Sequence, residues 1–187
     1  MPLVAALKAD TFLQPFIRPE CDEPGRGFRV TISAELATDD VVIIKPDAYY
    51  NSPHGPRPAP KSPDCLVVVR CETGEFQVFL VELRDIRGPL GFSVEEIREK
   101  FNTCLHDFME GVLGSHFNRA DIRFSAIRLL FVTDPYGQQQ DQERNNRFNR
   151  STKMDALLAL NSGRPFRFDG RRLGIEHHIN DPAITRC

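Results

Sequence analysis

Asp64 and Glu82 are the residues of this chain whose types and spacing allow chemistry: two carboxylates that a hairpin turns toward one another. The first run, Cys65-Leu66-Val67-Val68-Val69-Arg70-Cys71, follows Pro63-Asp64. The second, Phe76-Gln77-Val78-Phe79-Leu80-Val81, leads into Glu82-Leu83-Arg84-Asp85. Both are rich in β-branched and aromatic residues and read as adjacent strands. Glu72-Thr73-Gly74 between them reads as a three-residue turn with glycine in the left-handed position. That turn sets Cys71 opposite Glu75, and counting back sets Asp64 opposite Glu82. Directly opposed residues share a face, with Cβ atoms about 4.5–5.5 Å apart. Arg84, two residues on, shares it too. Two acids so close demand a proton, a cation or the arginine between them. Oxygen-rich pairs of this kind suit magnesium or manganese. Such an ion polarises a phosphoryl oxygen and lowers the pKa of a bound water, as phosphodiester hydrolysis requires.

The elements around the pair must form a sheet with a helical crossover. Phe28–Ser33 alternates and reads as a strand, and Val41–Ile44 as another, ended by Pro46. Leu3–Phe16 has an amphipathic helical pattern, and residues 51–63 form a proline-rich loop. After the hairpin, Ser93-Val94-Glu95-Glu96 matches a capping box opening a helix to about Met109. Its buried face is Val94, Ile97, Phe101, Cys104, Leu105, Phe108 and Met109. Ile122–Val132 becomes continuously apolar, as an interior strand does. Residues 138–150 read as an exposed loop, Ser151–Leu160 as a short helix, and Phe166–Leu173 as a hairpin around Asp169-Gly170. The order predicts an α/β fold with a mixed central sheet flanked by helices.

A strand opening on Pro63-Asp64, a turn, and a second strand ending in Glu82-Leu83-Arg84 resembles the PD-(D/E)XK nuclease superfamily, with arginine in the motif lysine position. The helix at Ser93 and the strand at Ile122–Val132 fall where that restriction-endonuclease-like fold has a helix and its fourth strand. The resemblance covers roughly residues 28–134, within a single domain of 1–187 whose residues 135–187 form a basic extension. It implies a metal-dependent nuclease hydrolysing phosphodiester bonds in DNA. Asp64, Glu82 and the Leu83 backbone carbonyl would hold Mg2+ or Mn2+, and Arg84 would meet the phosphate. Arginine cannot serve as a base as lysine can. Lys100 or Lys45 are candidates for a relocated lysine, and Glu35 or Glu96 for an extra acid. The alternative is an inert salt bridge between Arg84 and the acids, in a nuclease-fold protein that binds nucleic acid or assembles a complex.

The rest of the sequence narrows partners. Over 187 residues the formal net charge is −2, so bulk charge marks no polyanion partner. Local charge does: Arg144, Arg147, Arg150, Arg164, Arg171 and Arg172 concentrate near the C-terminus and are the candidate contacts to a DNA backbone. A protein partner or homodimer is an open alternative. No apolar stretch reaches membrane-spanning length, and the N-terminus lacks a secretory pattern. Together with five cysteines in no paired spacing, read as reduced thiols, this predicts a cytoplasmic or nuclear protein. His177-His178 reads as a surface tail, because adjacent strand residues point to opposite faces and ligate one ion poorly. His106 with Glu110 reads as a solvated helix face.

Overall fold

The computed structural model describes residues 1–23, 28–84, 93–133, 159–179 and 181–187. Its centre is a six-stranded mixed sheet in the order β1 (Ile17–Arg18), β4 (Val41–Ile44), β5 (Cys65–Arg70), β6 (Phe76–Arg84), β7 (Phe124–Thr133), β10 (Ile175–Ile179). β1, β4, β5 and β6 pair antiparallel, while β6–β7 and β7–β10 pair parallel. Parallel neighbours need a crossover. Between β6 and β7 it is made by α3 (Val94–Asn102), which continues as a π-helical stretch, Thr103–Val112. Between β7 and β10 the chain forms a small hairpin, β8 (Phe166–Phe168) and β9 (Arg171–Leu173). Asp169 and Gly170 at its tip have φ of 48° and 70°, the left-handed pair a two-residue turn needs.

Period-two alternation divides the sheet into two cores. One face carries Leu66, Val68, Val78, Leu80, Leu129 and Phe131. It packs under α1 (Leu3–Ala9) and the long helix, which contributes Ile97, Phe101, Phe108 and Met109. The other face carries Ile43, Val67, Phe79, Val81, Leu83, Leu130 and Val132. Among the described residues this second face is covered by a sheet and not by helices. β2 (Cys21–Glu23), β3 (Phe28–Ile32) and β11 (Ala183–Ile184) form it in the order β11-β3-β2. Val30 and Ile184 meet the central sheet from there. The strand at Phe28 therefore belongs to this separate layer, because it pairs with β2 and β11 and with no strand of the central sheet.

Three further expectations change. The N-terminal helix stops at Ala9, and only a 3-10 turn, Gln14–Phe16, follows. Asp10 ends it by accepting the Phe12 N–H in its side chain. His177 and His178 are not a tail: they lie on β10, opposite Phe131 and Val132. The cysteines are not all thiols. Cys21 bonds to Cys65 and Cys71 to Cys187, leaving Cys104 free and buried. The reducing compartment rested partly on unpaired thiols, and disulfides persist in oxidising surroundings. No helix among the described residues is long and apolar enough to cross a membrane. Arg144, Arg147, Arg150, the glutamine-rich loop and the helix expected from Ser151 fall mostly or wholly outside the described residues.

Candidate active site

The hairpin register runs as the turn length dictates. Gly74 is left-handed with φ of 83°, Cys71 N–H donates to the Glu75 carbonyl at 2.8 Å, and Cys65 pairs with Val81. One residue further, Asp64 stands opposite Glu82. Its Oδ2 accepts the Leu83 N–H at 2.7 Å, which ties the start of one strand to the end of the other. Glu82 is fully buried, an uncommon place for a carboxylate without a function or a partner.

The partner comes from the crossover helix. Ser93 caps α3 by accepting the Glu96 N–H at 3.2 Å, which fixes where the helix begins. Ile97 and Phe101 then bury its inner face against the sheet. Lys100, on the turn between them, extends to Glu82 and donates to Oε1 at 2.6 Å. The second oxygen, Glu82 Oε2, is buried with no hydrogen-bond partner. Burial pushes the Glu82 carboxyl up to about 8, and the charge of Asp64 adds to the rise; Lys100 and, more weakly, Arg84 act against it. Asp64 and Glu82 are therefore electrically coupled, and their neutralisation is incomplete.

Arg84 does not fill the space between the acids. Its guanidinium lies 3.8 Å from Glu96 in the first turn of α3, both side chains about a third exposed. Glu96 thus combines a backbone role at the helix cap with a carboxylate turned to Arg84. Lys45 points elsewhere: its Nζ donates to the Asp22 carbonyl at 3.1 Å and lies near Cys65 Sγ. Glu35 is exposed on the far layer. Leu83 turns its side chain into the back core, which leaves only its backbone to contribute to the site. Of the two candidate lysines, Lys100 is the one that reaches the acidic pair.

Asp47 is a carboxylate coupled to Asp64 that the sequence reading missed. It lies in α2 (Pro46–Tyr50), immediately after β4. Its Oδ1 is buried without a partner. Burial pushes this carboxyl up as well; Lys45 and Lys100 pull it down, and Asp64 pushes it further up. The available signal was Pro46, which starts the helix just after β4, but a lone aspartate after proline marks a helix start as readily as a site.

The basic residues divide. Arg171 donates to the Ser125 carbonyl at 3.0 Å and to the Phe124 carbonyl, so it clamps the start of β7. Arg164 and Arg172 are exposed, and the Arg164 carbonyl accepts from Arg98. On β10, Glu176 pairs with Arg128 and lies 3.6 Å from His178, and His177 Nε2 is buried without a partner. An open depression of about 550 Å³ along the outer side of α3, lined by Glu95, Arg98, Glu99, Asn102, Thr103, His106 and Asp107, shares no residue with the acidic pair.

Carboxylate oxygens from Asp64 and Glu82, one of them buried without a donor, are the hard ligands a divalent cation prefers. Compared with known proteins, the chain matches no family model, no curated protein and no solved structure.

Proposed function

We propose that the chain is a metal-dependent nuclease that hydrolyses phosphodiester bonds in DNA, built on a restriction-endonuclease-like core. One observation carries the reading. Glu82 is buried opposite Asp64, Lys100 satisfies one of its oxygens, and the other has no partner. A structural ion pair gains most when both oxygens are satisfied, because each buried bare acceptor costs about 1–3 kcal/mol. An oxygen left over in a pocket of excess negative charge marks a place for a cation.

Asp64, Glu82 and the Leu83 carbonyl are the groups to hold Mg2+ or Mn2+, which when bound supplies an activated water and a polarised phosphoryl oxygen. Lys100 takes the role of the motif lysine from a different element. Its ammonium, held at Glu82, is placed to orient a water by donating to it and to oppose charge growing on a phosphate. Asp64, fixed by the Leu83 N–H, keeps its carboxylate at the mouth of the pair. Arg84, about a third exposed and loosely paired at 3.8 Å, is free to turn to a phosphate, where its planar fork binds two oxygens. The sheet order, consecutive through β4, β5, β6 and β7 with α3 on the crossover, supports the same reading.

One observation favours the alternative of an inactive nuclease-fold protein: Lys100 already neutralises part of the charge that would hold a metal. Incubation of supercoiled plasmid and of labelled single- and double-stranded oligonucleotides with Mg2+ or Mn2+ separates the two. Cleavage that EDTA, Asp64→Asn and Lys100→Met each abolish supports the nuclease. DNA binding that salt weakens, with no cleavage under either ion, overturns it in favour of the binding protein.

A further inference from the structure

The acids at the end of this sheet number more than two. β4 pairs with β5 so that Ile44 stands opposite Leu66. β4 ends there, and α2, whose start Pro46 fixes, packs against β5, the strand that Asp64 precedes. Its second residue is Asp47. Two carboxylate oxygens from separate elements, Asp47 Oδ1 and Glu82 Oε2, are buried without a hydrogen-bond partner. Asp64 and Lys100 both act on the Asp47 charge, which places it within the same electrostatic cluster.

Without a cation, burial favours the protonated form of both acids; once ionised, both bare oxygens are acceptors, and what satisfies them must donate a hydrogen bond or be positive. The neighbouring cations are committed. Lys100 donates to the other oxygen of Glu82, Lys45 to the Asp22 carbonyl, and Arg84 faces Glu96. With all three ionised, Asp47, Asp64 and Glu82 face the ammoniums of Lys100 and Lys45, a deficit of positive charge that a divalent cation with its water shell would meet. Among the described residues, no three His, Cys, Asp or Glu side chains converge closely enough to hold one ion directly. Magnesium keeps several of its waters, and a carboxylate one shell out grips them by accepting their protons.

We propose that Asp47 is the third acidic arm of this site, a positioning residue that binds a metal-held water and not the ion. This rests on reading Asp64 and Glu82 as the cation ligands. Asp47 would fix the orientation of that water and contribute to affinity through charge.

The test is Mn2+ binding to the full chain, followed by calorimetry and by the Mn2+ paramagnetic signal, in wild type, Asp47→Asn, Asp64→Asn and the exposed control Asp39→Asn. The expected pattern is one site in wild type, none in Asp64→Asn, the same stoichiometry with about 10-fold weaker affinity in Asp47→Asn, and no change in Asp39→Asn. Thermal unfolding in EDTA is measured alongside. Asp47→Asn should unfold no earlier than wild type, because asparagine can still accept the Ala48 N–H while it removes a charge that burial disfavours. Wild-type affinity in Asp47→Asn while Asp64→Asn fails to bind overturns this inference and leaves the nuclease reading standing. Earlier unfolding of Asp47→Asn in EDTA also overturns it, by showing a structural role. Absence of Mn2+ binding in wild type overturns both.

Discussion

Replacing Glu82 by glutamine tests the buried carboxylate without any assumption about catalysis. Glutamine keeps the shape and offers Lys100 the same carbonyl oxygen that a protonated glutamate would. In the folded protein the Glu82 carboxyl titrates at about 8 against an ordinary 4.5, chiefly because it is buried and secondly because Asp64 faces it. Between those pH values the folded chain holds a proton that the unfolded chain has released. Stability therefore falls as pH rises across that window, by about 1.4 kcal/mol per unit for one proton. The glutamine variant lacks this slope. In EDTA, urea unfolding followed by circular dichroism should give similar free energies for both proteins near pH 5. By pH 7.5 a gap of about 3 kcal/mol should open in favour of Glu82→Gln. Above pH 8 the gap should stop growing. Mg2+ should narrow it in wild type, because a bound cation stabilises the ionised form. Parallel pH profiles for the two proteins in EDTA would refute the argument that Glu82 is a neutral acid at neutral pH.

Two other outcomes follow from the layout. Cys21–Cys65 and Cys71–Cys187 close loops with sequence separations of 44 and 116 residues, for which chain entropy gives about 4 and about 5 kcal/mol. A phosphine reductant should therefore lower the urea midpoint substantially, and Cys71→Ser with Cys187→Ser should account for part of the loss; an unchanged midpoint would mean the bonds do not form. Arg171→Ala should cost about 1–3 kcal/mol of stability through its carbonyl contacts and leave DNA affinity alone. Arg172→Ala should leave stability alone and reduce the salt slope of binding by about 1, and the reverse pattern would place the nucleic-acid surface elsewhere.

The site was legible where geometry is local. A three-residue turn with Gly74 fixes the pairing of two strands, and from it the meeting of Asp64 and Glu82 follows by counting. The Ser93 cap was equally readable, since it depends on four adjacent residues. What escaped the sequence depends on distant pairing. β2 and β11 are three and two residues long, too short for a periodic signal, and they form a layer only because β3 lies between them. β10 reads Ile-Glu-His-His-Ile, without the apolar run of an interior strand, and it is a strand because β7 offers a parallel edge. The disulfides join cysteines whose spacing carries no pattern. Lys100 was a candidate, but its reach depended on how α3 packs through Ile97 and Phe101. Asp47 was hidden because helix-starting chemistry and site chemistry use the same residue type.

Of the five cysteines, four are consumed in disulfides and the fifth, Cys104, is fully buried about three turns beyond the Ser93 cap, on the continuation of the helix that carries Lys100. The protein therefore contains a single silent reporter. A thiol-reactive dye added under non-reducing conditions has nothing to label until the crossover helix lifts from the sheet, so the labelling rate times that opening directly. No engineered probe is needed to learn whether a divalent cation, or DNA, holds the helix down.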